Sequence, residues 1–309
     1  MELTDVARAG LMISNTEPES RKVPGQTFEV LEKAMELDFF EAYQTVEVPY
    51  AEERQKIARV VKANKFGMTY CLARVLNDNK LDLSSLDEQL RRASVQSLIP
   101  HLDDAVEQGA DSVQIISGPA AADTDRRGEQ LRQFEKSWLE LCEAAQEKDL
   151  KVLVEPLDVN MHKKKAVGFT DEALEIARNL SLEVGNAFLC MDTSHMILNG
   201  EDVVASVSEA MDYVGEFHFC NPVLNKEHPL FGDTHIKLGE PGELDLEAIG
   251  QMMAQLLQVG FLSESRRPKL FLEVWNGGGA AWDMMLYCRQ SLLDAWAIAC
   301  TELEDSVER

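Results

Sequence analysis

The strongest constraint on this chain is a repeating alternation. Short apolar runs occupy 10–13, 39–46, 66–73, 112–118, 151–157, 187–193, 214–221 and 269–275. Each precedes a stretch of helical period, at 27–37, 52–64, 87–109, 128–148, 170–182, 201–211, 244–259 and 281–301. In the first of these stretches Phe28, Leu31, Ala34 and Met35 share one face. Near-continuous apolar strands belong to parallel sheets covered on both faces. Eight βα units predict an α/β fold, a closed (β/α)8 TIM barrel, as a single domain over residues 1–309. An open doubly wound sheet usually carries a Gly-rich phosphate loop after its first strand, and none is present. No Pro-, Gly- or Ser-rich linker divides the chain.

Finer signals sit on this frame. Gly109 reads as the C-cap of helix 87–109, whose solvent face is expected to carry Arg91, Arg92 and Gln96. Thr170 reads as the N-cap of helix 170–182. Two connections, 119–128 and 221–245, are long; both follow strands and so belong on the catalytic rim of a barrel.

Charge and cysteine content narrow the partners. Thirty Lys and Arg against 54 Asp and Glu leave a net charge of −24. Nucleic-acid binding needs a basic surface that releases counterions, and anionic membranes need the same sign, so neither partner is expected. The six cysteines form no CxxC pair, which suits free thiols in a reducing compartment. The N-terminus shows no signal-peptide pattern and no run reaches 18 apolar residues, so a cytoplasmic protein without membrane spans is expected. A homo-oligomer is compatible with the sequence.

Barrel enzymes draw their chemistry from the C-terminal ends of the strands. There the sequence offers Glu155 on strand five, Asp192 followed by Thr193-Ser194-His195 on strand six, His218 on strand seven and Glu273 on strand eight. Alternation points Glu273 the same way as Phe271 and Trp275, and His218 the same way as Glu216 and Cys220. Carboxylates meeting in a barrel mouth repel unless a cation neutralises them. Three oxygen donors and one imidazole suit one divalent metal ion, Mn²⁺ first, with Mg²⁺, Co²⁺ or Zn²⁺ as alternatives.

The stretches Val154-Glu155-Pro156, Met191-Asp192-Thr193-Ser194-His195, Phe217-His218, Gly232-Asp233-Thr234-His235 and Leu272-Glu273, with the Gly-containing turn 238–245, resemble the xylose isomerase-like barrel superfamily. That superfamily holds sugar isomerases, ketose 3-epimerases, inosose dehydratases and endonuclease IV-type enzymes. The resemblance implies Glu155, Asp192, His218 and Glu273 as metal ligands, and His195 as a substrate-contacting or second-metal residue. Asp233 and His235 match a pair that holds a further metal in the nuclease branch. That branch also uses two histidines on earlier strands, where this chain has Tyr70, Cys71 and Gln114, so the resemblance favours the single-metal sugar branch.

The chemistry implied is proton abstraction beside a carbonyl. A metal holding a hydroxy-ketone acidifies the C–H between the two oxygens and stabilises the enediolate. Glu155 and Glu273 are assigned as the catalytic pair, one to remove and one to return the proton. His195 and Asn221 are expected to hydrogen-bond hydroxyls, Asp233 and His235 to contact substrate or order a loop, and Trp275 to offer a platform to a sugar face, with Phe271 deeper. Lys163-Lys164-Lys165 reads as a solvated loop near the rim, which together with Arg126, Arg127 and Lys237 could also meet an anionic substituent. Cys220 reads as a packed thiol, and His101, His162 and His228 receive no role. The expectation is a metal-dependent sugar isomerase or epimerase. The alternative is a lyase, a dehydratase or deglycosidase using the same acidified carbon, and a nuclease is disfavoured by the charge.

Overall fold

The computed structural model describes residues 1–308, with side chains described through residue 305. Eight parallel strands close into a barrel: β1 (Arg8–Met12), β2 (Ala42–Thr45), β3 (Gly67–Cys71), β4 (Ser112–Ile115), β5 (Lys151–Val154), β6 (Ala187–Asp192), β7 (Val214–Phe219) and β10 (Lys269–Leu272). The (β/α)8 expectation holds, because each apolar run pairs with its neighbours and each helical stretch covers the seam outside. Two further strands, β8 (Asn221–Val223) and β9 (Gly232–Ile236), form an antiparallel pair inside the long segment after β7. That segment is therefore built structure rather than open loop. Among the described residues no helix is long and apolar enough to cross a membrane.

The strands are shorter than the apolar runs suggest. The first run stops at Met12, and Ile13–Thr16 is already a helical turn; the second run contracts to Ala42–Thr45. Ala73–Asp78 and Thr193–Asn199 are likewise short helices directly after strands. Apolar character reports burial, and a buried turn just past a strand end looks the same as more strand.

Most of the core lies between the sheet and the helices, with Leu11, Tyr43, Val113, Val152 and Phe217 among its buried members. Inside the barrel, by contrast, the apolar filling is a small cluster of Met12, Ala42 and Phe271. Gly10 makes room for it, since a Cβ there would run into the Phe271 ring. The remaining interior is polar and paired. Glu216, fully buried, accepts from Gln44 Nε2 at 3.0 Å and from the Thr69 hydroxyl. Lys269 Nζ donates to Thr69 Oγ1 at 3.0 Å and Ser112 Oγ at 2.8 Å and pairs with Asp111. Buried polar groups in this number are stable only when each has a partner.

Two local expectations are corrected. Arg91 does not face solvent: its side chain is 1% exposed and donates to Glu88 at 2.8 Å, Glu140 at 2.8 Å and Ser137 Oγ at 3.0 Å. It ties helix Glu88–Glu107 to helix Arg127–Gln146. Helical period alone shows which side of a helix a residue is on, but not that a charge on that side is paired with a neighbouring helix. Arg91→Ala is expected to lower stability by about 2 kcal/mol in urea titration, through lost packing and hydrogen bonds. A shift under about 0.5 kcal/mol, the usual surface range, would contradict the anchoring role. Thr170 is not the N-cap: Phe169 holds that position, and Thr170 sends its N–H to the Glu201 carboxylate at 3.3 Å.

Candidate metal centre and its pocket

The four residues at the strand ends converge. One ligand atom from each of Glu155, Asp192, His218 and Glu273 lies within 4.8 Å of the others. Each is placed by its strand. Asp192 is the last residue of β6, His218 lies in β7, and Glu155 and Glu273 each follow the last residue of β5 and β10.

The surroundings leave one oxygen of each carboxylate turned inward. Asp192 Oδ1 caps the helix after β6 by accepting the N–H groups of Ser194 at 2.7 Å and His195 at 3.3 Å. Glu155 Oε2 accepts from Gln114 Nε2 at 2.6 Å, and Glu273 Oε1 from Asn15 Nδ2 at 3.2 Å. The second oxygens face His218 Nδ1, at 3.0 Å from Glu273, 3.8 Å from Asp192 and 3.9 Å from Glu155. On the other side of the ring, His218 Nε2 lies 2.9 Å from Glu216 Oε1, which sets the ring orientation. Phe271 packs edge-on against the imidazole, with ring centroids 5.4 Å apart, so it supports His218 rather than a substrate face.

Burial raises the pKa of Glu155 and pushes Asp192 up to about 7. Burial also opposes charge on Glu273, but His235 and His218 outweigh it and hold that carboxyl down at about 2. Such a cluster cannot carry all its negative charge without a compensating cation. The donor set fits one: three carboxylate oxygens and one imidazole nitrogen suit a small divalent metal ion.

A second group of side chains stands beside this centre. His195 is buried, with Nε2 3.7 Å from Asp233 Oδ2 and Nδ1 3.6 Å from Asp158 Oδ2. Burial works against its protonation, but Asp233 and Asp158 push its pKa up to about 9. His235 Nε2 lies 3.1 Å from Asp233 Oδ2 and 3.4 Å from Glu273 Oε1. His235 adopts a left-handed φ of 54°, a conformation disfavoured for residues with a Cβ by about 1–2 kcal/mol. Cys220 donates its thiol to Asp233 Oδ1 at 3.2 Å and is fully buried, a packed thiol as expected. His162, given no role from sequence, accepts the Asp233 N–H on Nδ1 at 3.1 Å.

Asn221 departs from its expected part. Its Nδ2 donates to the carbonyls of Lys237 and Gly239, each at 2.9 Å, and its Oδ1 accepts the Leu244 N–H at 2.7 Å. A Cβ on Gly242 would collide with this amide, which explains the glycine. Asn221 is spent on pinning the 237–244 turn, has no N–H left for a hydroxyl and is fully buried. Trp275, by contrast, is 45% exposed and lines the cavity mouth, with its backbone N–H bound to the His235 carbonyl at 2.8 Å. Arg126, Arg127 and Lys237 face elsewhere: the two arginines pair with Glu129 and Glu172, and Lys237 lies over the Tyr287 ring.

Asp158 went unnoticed in the sequence. It is fully buried, and its carboxylate gathers the N–H groups of Met161 at 3.1 Å, Lys163 at 2.9 Å and His162. Burial opposes its charge, while His195 and these N–H groups hold it well below the usual carboxylate range. A depressed folded-state pKa stabilises above the ordinary value of 3.8, and that contribution fades as pH falls below it. Asp158→Ala strands several buried donors at about 1–3 kcal/mol each. We expect a clear loss of urea stability at pH 7, and a smaller difference from the parent near pH 3.

A closed (β/α)8 barrel with a carboxylate–histidine cluster at its C-terminal mouth defines the class: a barrel protein equipped to hold a divalent cation in a side-chain pocket. Family comparison makes this specific. The profile of the family described as xylose isomerase-like TIM barrel matches residues 32–282, and the chain belongs to that family. No curated protein matches the sequence. Solved structures match the fold at low identity. An L-ribulose 3-epimerase superposes with TM-score 0.65 at 17% identity, covering 98% of this chain and 96% of that one. The IOLI protein with a binding zinc atom gives 0.69 at 14%, covering 93% and 97%. An AP endonuclease, family 2, from Brucella melitensis gives 0.60 at 16%, covering 89% and 95%. Proteins named for different chemistries share this barrel, so the similarity establishes the fold, and the site must carry the function.

Proposed function

We propose that the protein is a metal-dependent epimerase of free or derivatised ketoses, with Mn²⁺ the first choice of metal. The observation that supports it most is the division of labour at the cluster. Each carboxylate has one oxygen held by a protein donor and the other turned toward His218 Nδ1. A bound divalent ion would supply positive charge to two neighbouring substrate oxygens, acidifying the C–H between them. Asp192 and His218 hold position on the adjacent strands β6 and β7, and Glu155 and Glu273 flank that pair from β5 and β10. A sugar lying over the cluster therefore meets a carboxylate on either side. One removes the proton and the other returns it to the opposite face. Trp275 closes the mouth with an apolar surface, and His195 and His235 meet hydroxyl groups. Gln114 stands where the nuclease pattern asks for histidine, and it serves Glu155 instead.

A lyase is the second reading. It is favoured by His195 and His235: burial works against their charge, but Asp233 at His195 and Glu273 at His235 outweigh it and favour the proton-donating form of both rings. Such donors would assist a leaving group β to the acidified carbon. Incubation in D₂O with a panel of ketoses and oxidised glycosides separates the two. Deuterium at the α-carbon with a new epimer supports the first reading; a product that has lost water or an aglycone replaces it with the second.

A further inference from the structure

The cavity above the cluster has a volume of about 620 Å³, within the range of small-molecule sites. One of its walls is cationic although the chain carries a net charge of −24. The cations come from the Lys163–Lys165 run and from the helix Ala73–Asp78.

The run is not a solvated loop. The Asp158 carboxylate clamps the backbone at 161–163, and the three lysines then separate. Lys163 reaches Asp233 Oδ2 at 3.0 Å. Lys164 takes a left-handed φ of 52° and points to solvent. Lys165 turns back into the cavity, its N–H fixed on the Asp158 carbonyl at 3.0 Å and its backbone bridged to Pro119. Its ammonium donates to Asn77 Oδ1 at 3.1 Å. Among the described residues no carboxylate lies within 4.0 Å of it. Asp82 influences it only from farther off, with Oδ1 engaged by the N–H and hydroxyl of Ser84. Burial lowers its pKa, Asp82 works against that, and the neighbouring Lys163 adds a smaller lowering. Arg74 lines the same wall, 39% exposed, with Nε 3.5 Å from Asp78.

Lys165 is thus half-buried with no carboxylate in direct contact, balanced only at a distance by Asp82, and a charged acceptor placed against its ammonium forms the strongest class of hydrogen bond. We propose that the substrate is an anionic sugar, whose carboxylate or phosphate rests on Lys165 and Arg74 while its hydroxy-ketone end lies at the metal centre. A neutral sugar would leave Lys165 with only Asn77 in contact and Asp82 at a distance. This deepens the epimerase reading and rests on it for the position of the reacting end.

The test is calorimetric binding to the Mn²⁺-loaded protein, run beside D₂O exchange. The probes are ketohexoses, their 6-phosphates and the matching ketohexuronates, with D-fructose, D-fructose 6-phosphate and D-fructuronate as one set. We expect at least one anionic form to bind tenfold or more tighter than its neutral counterpart, with the preference weakening at high salt; the arm that wins identifies phosphate or carboxylate. Lys165→Met and Arg74→Met should each cut the anionic-to-neutral ratio by tenfold, Lys165→Arg should restore most of it, and Lys164→Met should leave it alone. No anionic preference across the panel, or a ratio unmoved by Lys165→Met, overturns the proposal. If neutral ketoses exchange their α-proton without any anionic preference, the wall has no such role and the epimerase reading stands. An anionic preference abolished by Lys165→Met, with no exchange in any sugar, keeps the wall and removes the epimerase.

Discussion

Changing Glu155 to Gln should reduce epimerisation by about 10³-fold or more, and Glu273→Gln should do the same, since general acid–base groups commonly contribute about 10²–10⁴-fold. The two variants are more informative together than apart. If each glutamate serves one face of the substrate, a single variant loses net turnover but keeps one working base. That base still removes a proton and returns a deuteron to the same face. Each variant is therefore expected to wash deuterium into one epimer only, and the two variants into opposite epimers. Gln keeps an acceptor oxygen for the Gln114 or Asn15 contact, so the local frame is largely retained. Metal content must be measured alongside, because both residues are also candidate ligands. Full turnover in either variant would remove the two-base mechanism. Exchange into both epimers by one variant would assign a single shuttling base instead.

Removing His218 should abolish metal retention. The imidazole is the one nitrogen donor of the cluster, and its ring is held from behind by Glu216 at 2.9 Å. His218→Ala is expected to weaken Mn²⁺ binding at least 100-fold in a competition titration. Glu216→Gln, which removes the orienting carboxylate without replacing a ligand and also alters its contacts with Gln44 and Thr69, should weaken it by about 10–100-fold. A thermal readout gives the same information without turnover. A ligand present at 100 times its Kd stabilises a fold by about 2.7 kcal/mol, so adding Mn²⁺ should raise the parent's Tm, chelator should reverse the rise, and His218→Ala should respond to neither. Unchanged metal content in His218→Ala would remove this ligand set.

The eight-unit barrel and the four converging strand-end residues were legible because both are periodic. A buried strand repeats every two residues, a covering helix every 3.6, and a barrel places consecutive strand ends on one rim. Asp192 and His218 could be named from strand position alone. Asn221 was misread for an instructive reason. Its position just past β7 is right for a substrate contact, but the β8–β9 pair folds the following segment back over it and engages all its hydrogen-bonding groups except one lone pair. Arg91 shows the same limit on a helix, where a charge at a buried position is stable because Glu88 and Glu140 meet it there.

The Lys163–Lys165 run marks where sequence stops and tertiary structure begins. The sequence determined that three cations follow strand five near the rim. It also determined the barrel, the polar strand ends and the acidic balance, since each depends on neighbours a few residues away or on simple counts. Only the tertiary structure decided that Lys163 meets Asp233, that Lys164 faces water and that Lys165 enters the cavity. Those directions follow from the Asp158 clamp and from partners about 70 to 90 residues distant, such as Asp233 and Asn77. A side chain's direction outside regular structure is set by the acceptor or solvent that meets its polar end, and that surrounding is chosen by the closed fold rather than by adjacent residues.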